Sequence, residues 1–200
     1  MRRYLLPIVL FFLPETNTLW AQQADLTRFN RDRLARGRTA MWVLSGWGAV
    51  NMAGGLAGAV TSHGEARAFH QMNAAWGAVN LGIAAASLLG NRRTDPASFD
   101  LYATTKAQHQ TQQVFLFNAG LDVGYMAAGL WMREKGNSTV KHASKWRGFG
   151  NSVLLQGAFL FVFDLSAWWA HQRLEGRLKP FFQNTSFGFD GRSIGMVRQF

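Results

Sequence analysis

Cysteine is absent from this chain. That excludes disulfides, thiolate metal ligands and a cysteine nucleophile. It does not bear on compartment, because a chain that folds in a bilayer needs no disulfide staple. Charge is scarce as well: 16% of residues are charged, against about a quarter in an ordinary soluble domain. Acidic residues are the rarer sign, 11 against 21 Lys and Arg, which leaves a formal charge of +10. Proline occurs 4 times, and none of these lies in the four long apolar blocks described below.

What is present is segregated. Apolar residues fall into blocks at 39–61, 70–90, 114–132 and 152–171, and the charges sit between them. Each block has the length a helix needs to cross a hydrocarbon core of roughly 30 Å, and none contains Lys or Arg. The basic residues flank the blocks instead of lining one polar helix, so headgroup contact is expected and nucleic acid is not. The fold class expected is an all-α membrane protein: a four-helix up-and-down bundle, with the bilayer as its first partner and further copies or other membrane proteins as others.

The first 21 residues read as an export signal. Arg2 and Arg3 precede a ten-residue apolar run, Tyr4 to Leu13, and Ala21 supplies a small residue at a cleavage position. The run is too short to span, and Pro7 and Pro14 oppose a long helix. Residues 22–180 would then form the membrane domain and 181–200 a tail. Cleavage would place residue 22 outside, and the five basic residues of the 133–150 loop inside, as the positive-inside rule asks; the Arg cluster at 28–38 runs against it. An inner-membrane location follows for a bacterial chain. Residues 24–38 carry Leu26, Phe29 and Leu34 at helical spacing among arginines, the pattern of an amphipathic lead-in helix resting near headgroups. In the tail, Asp190-Gly191 is a hairpin turn signal, so a small C-terminal hairpin of two short strands or an irregular cap is expected. The pairs Gly54/Gly58 and Gly120/Gly124 have the four-residue spacing that lets helix backbones approach.

The string Trp47-Gly48-Ala49-Val50-Asn51 recurs as Trp76-Gly77-Ala78-Val79-Asn80, which suggests a duplicated helix or shared packing. Polar residues inside the blocks carry more information. They are Asn51, Asn73, Asn80, Asn118, Asp122, Gln156 and Asp164, with Tyr125 on the face of Asn118 and Asp122. At about 1.5 Å per residue, Asn51 and Asn80 lie roughly 15 Å into their segments, and Asp122 and Asp164 roughly 12 and 11 Å. One layer near the midplane is therefore expected. Residues of this kind face a bundle interior and find partners there. The layer could be structural glue built on Asn–Asp pairs, or a proton, ion or ligand site, with His70 as a further contact on the stripe His70, Asn73, Gly77, Asn80.

Other chemistry has little support. The flanks of Asp122 and Asp164 do not match the glycine-rich motif of intramembrane aspartyl proteases, and no phosphate loop, zinc motif or nucleophile elbow occurs. His109 and His171 stand at helix ends, where solvated interfacial histidines are expected instead of haem or metal ligands. No cofactor or metal is expected, and no catalytic residue is assigned. The sequence favours a non-enzymatic structural or scaffold component of a bacterial envelope. The alternative is a small transporter or channel subunit with a polar midplane site; an intramembrane enzyme would need a water-accessible cavity at that layer.

Several strings occur together: Arg28-Phe29-Asn30-Arg31-Asp32-Arg33-Leu34, Leu44-Ser45-Gly46-Trp47, Phe69-His70-Gln71-Met72-Asn73-Ala74-Ala75-Trp76, Phe117-Asn118-Ala119-Gly120-Leu121-Asp122-Val123-Gly124-Tyr125, Arg147-Gly148-Phe149-Gly150-Asn151-Ser152, Leu155-Gln156-Gly157-Ala158-Phe159 and Phe163-Asp164. In these the chain resembles an uncharacterised family of small bacterial four-helix integral membrane proteins, a domain of unknown function. The resemblance implies an exported four-helix membrane protein and supplies no activity.

Overall fold

Each apolar block lies within a longer helix. The computed structural model describes residues 15–138, 141–183, 185–189 and 194–198, with side chains over 21–138 and 141–182. Helix α1 runs Glu15–Thr61, α2 Gly64–Asn91, α3 Leu101–Ser138 and α4 Ala143–Glu175. A 3-10 turn at Pro96–Ser98 precedes α3, and another at Gly176–Leu178 leads into the short α5, Lys179–Gln183. Strands β1, Thr185–Phe189, and β2, Ile194–Arg198, pair antiparallel with Phe187 opposite Met196. The Asp190-Gly191 turn and most of the export segment lie outside the described residues.

Among the described residues four helices are long and apolar enough to cross a membrane, and the surface agrees with that. Val60 is 84% exposed and Phe117 67%, while Asn51, Asn73, Asn80, Asp122, Ser152, Gln156 and Asp164 are buried. In water this distribution would leave a large apolar surface unpaired. In lipid it is the favourable one, because polar side chains must meet each other inside the bundle.

The packing is pairwise. Helix α1 lies along α2, α3 along α4, and the two hairpins join where α2 packs on α4. The α1–α2 turn is two residues, Ser62 and His63, and Gly64 follows at φ +58°, a left-handed conformation open to glycine without strain. Glycines set the closest approaches. A Cβ on Gly48 would meet the Gly77 carbonyl, one on Gly77 would overlap the Met52 backbone, and one on Gly55 would overlap Ala74. On the other hairpin, Gly129 and Gly150 play the same part against each other's helices. The expected glycine faces need correction here. Gly58 does pack, against the His70 ring, but Gly54, Gly120 and Gly124 face open space. Helix phase decided this: contacts on α1 follow 48, 55 and 58, and on α3 they follow 129 and 136.

The lead-in segment also differs from expectation. It is not a separate helix on the headgroups but the first half of α1. Leu26 and Phe29 are 2% and 1% exposed, packed on Leu174 and Leu178 beyond the end of the fourth apolar block. The apolar stripe is present, and its partner is protein. Asn30 joins this end to α3, donating through Nδ2 to Thr104 Oγ1 at 2.7 Å, and Gln108 Nε2 donates to the His171 carbonyl at 2.7 Å. At the opposite end, Glu65 on α2 accepts from Arg147 Nε at 2.8 Å and Asn151 Nδ2 at 2.9 Å on α4.

Candidate functional site

The polar residues of the spans form two groups, and the difference between them defines the site. The first group is closed. Gln156 on α4 donates through Nε2 to Asn51 Oδ1 at 2.8 Å and to Asn73 Oδ1 at 3.0 Å. Its Oε1 accepts from Trp47 Nε1 at 2.8 Å, Ser152 Oγ donates to Asn73 Oδ1 at 2.6 Å, and Asn51 Nδ2 returns to the Trp47 carbonyl at 2.8 Å. Trp47 stacks on Phe159 with centroids 3.8 Å apart, which seals one side. Three helices are thus tied by mutually satisfied groups, the arrangement that holds a bundle together in lipid.

The second group lines a cavity of about 640 Å³. Its facing walls are α2, through Trp76, Val79, Asn80 and Ile83, and α3, through Thr111, Val114, Asn118, Asp122 and Tyr125; α1 and α4 form the back. Asp122 and Asp164 stand within hydrogen-bonding reach of each other, with Asn118 beside Asp164. Trp76 and Tyr125 meet edge to face at 5.1 Å and close the cleft toward the Gly64 end of α2. All the lining residues lie on one side of that contact, extending to Arg33, Asn91 and His171 at the other end.

The single expected layer is therefore two. The cause is the crossing of α1 and α2 at Gly48 and Gly77. The repeated string sits on antiparallel helices, so Asn51 lies three residues from the crossing toward one end and Asn80 three residues toward the other. That separates the two by about 9 Å. The same offset separates Gln156 from Asp164, eight residues and about 12 Å along α4. The expected Asn–Asp pairing is replaced for Asn51 and Asn73 by Gln156. His70 joins neither group; its ring packs on Gly58.

The orphaned groups were not legible beforehand. Among the described residues, Arg33, Asn80, Gln108, Asp122 and His171 bury a side-chain N or O without a hydrogen-bond partner, and of these Arg33, Asn80, Asp122 and His171 line the cavity. His171 corrects the expectation of a solvated histidine. It is 1% exposed and stacked on Phe115 at 5.8 Å, because α4 continues to Glu175 and the first half of α1 covers it. His109 is the exposed one, paired with Glu175 at 3.2 Å. Among the described residues no cluster of three metal-ligating side chains occurs.

Buried polar layers inside four apolar helices define the class: an integral, multi-pass membrane protein with a four-helix bundle. Within that class the chain belongs to the family of unknown function DUF6992, whose model matches residues 43–165, from the first span to just past Asp164. No curated protein and no solved structure matches the chain.

Proposed function

We propose that this is a small, non-enzymatic ligand-binding protein of a bacterial inner membrane, exported through its N-terminal segment and acting as a carrier or as the binding subunit of a larger membrane assembly. The observation that carries this reading is the division of the polar groups. Those that hold the helices together are satisfied, while four of the five residues with an unpartnered buried atom among the described residues converge on one cavity. A buried polar atom without a partner costs about 1–3 kcal/mol, and four residues with that cost around one space favour a site over a scaffold.

With the N-terminus exported, the cleft opens toward the outer face, between the Arg33 end of α1 and Asn91. The Trp76–Tyr125 contact and the Gln156 cluster close it toward the inner face. A carrier would alternate by parting that aromatic contact. Native mass spectrometry of the protein released from lipid nanodiscs tests the reading. A small molecule enriched over bulk lipid on the wild type and absent from Asp122→Asn/Asp164→Asn supports it. Identical adduct spectra for the two proteins overturn it.

A further inference from the structure

The cleft's chemistry narrows the ligand, on the footing that the cleft is a binding site. Asn80 and Asp122 are each 2% exposed and each has an atom without a partner among the described residues: Nδ2, a donor, and Oδ2, an acceptor. Their relative level follows from the helix register. Trp76 and Tyr125 touch, the helices are antiparallel, and Asn80 stands four residues above Trp76 while Asp122 stands three residues from Tyr125 in the same direction. The rises, about 6 and 4.5 Å, put the two orphans on opposite walls at nearly one height. With Asp122 as the carboxylate of its pair with Asp164, a group that satisfies both must accept from Nδ2 and donate to Oδ2. A hydroxyl does both. An ammonium donates without accepting, and a carboxylate accepts without donating.

Above that height Ile83, Val114, Phe115 and Met41 give an apolar strip, with Ser87, Thr111 and Asn118 beside it and Arg33 and His171 at the far end, and the rim is open sideways. Val79, Ile83, Val114 and Leu121 line the cavity yet are 52%, 54%, 57% and 44% exposed. In a bilayer those side chains meet lipid. From Asn80 to Asn91 is eleven residues, about 16 Å of wall, and a cavity of about 640 Å³ has the size of an organic ligand's site. We propose that the cleft takes a lipid-soluble alcohol, entering from the bilayer between α2 and α3, with its hydroxyl held between Asn80 and Asp122 and its apolar body along Ile83 and Val114.

The chain's lack of cysteine makes the test clean. Ser87→Cys, on the cavity wall, carries an environment-sensitive fluorophore in nanodiscs, and 1-dodecanol, dodecane and dodecyltrimethylammonium are added at equal mole fractions. A saturable spectral shift with dodecanol, absent with dodecane, is expected. It should weaken at least tenfold in Asn80→Leu. Val114→Trp, a change at an exposed rim position that leaves the core untouched, should weaken it equally. A response to the ammonium and not the alcohol overturns the hydroxyl assignment and leaves the ligand-site reading standing. An undiminished response in Val114→Trp overturns entry between α2 and α3. No saturable response to any probe overturns this proposal, while adducts on the wild type in the mass spectra would still uphold the site.

Discussion

Asn51 and Asn80 are the same residue in the same five-residue string, and they end in opposite circumstances. Asn51 accepts from Gln156, while Asn80 has its Nδ2 unpartnered beside a cavity. Which residues are polar was legible from the sequence, since only a few stand inside apolar blocks. Their partners were not, because partners depend on where antiparallel helices cross, and that is set by Gly48 and Gly77 meeting across the interface. Trp47 and Ser152 stand in the sequence strings but do not show there as polar partners, because an indole and a hydroxyl are unremarkable in an apolar block. At this scale Gln156→Leu leaves Trp47 Nε1 and Asn51 Oδ1 unpartnered and should lose about 1–3 kcal/mol, read as a lowered midpoint in detergent unfolding. Asn80→Leu removes a group that makes no hydrogen bond among the described residues and should leave the midpoint unchanged or raise it.

Among the elements, glycine phase and helix length carry the lessons. Four-residue glycine spacing was visible on α1 and α3, but spacing alone does not give the rotation of a helix about its axis. Gly77→Leu would drive a side chain into the Met52 backbone and should prevent the α1–α2 hairpin from closing, seen as loss of folded protein after extraction. Gly124→Leu, facing open space, should insert and fold as the wild type does. The stripe Leu26, Phe29, Leu34 was equally visible, whereas its burial against Leu174 and Leu178 depends on α1 and α4 continuing past the apolar blocks. Phe29→Ala should cost about 3 kcal/mol or more and expose the 21–38 half of α1 to limited proteolysis while the spans stay protected.

For the whole molecule, the number of spans and the all-α bundle could be read from block length and charge placement, because the bilayer imposes both. The order of the helices could not. The structure packs α2 against α4 and leaves α2 and α3 facing each other across a cleft, an arrangement that no periodicity in one helix encodes. The central claim is that one polar group holds the bundle and the other serves a ligand. Thermal unfolding in one detergent of the wild type, Asp122→Asn/Asp164→Asn and Gln156→Leu tests it directly. The account predicts a double variant as stable as the wild type or more so, beside a clearly destabilised Gln156→Leu. A double variant that collapses while Gln156→Leu stays stable would contradict it, and would make the aspartates the structural tie of the bundle.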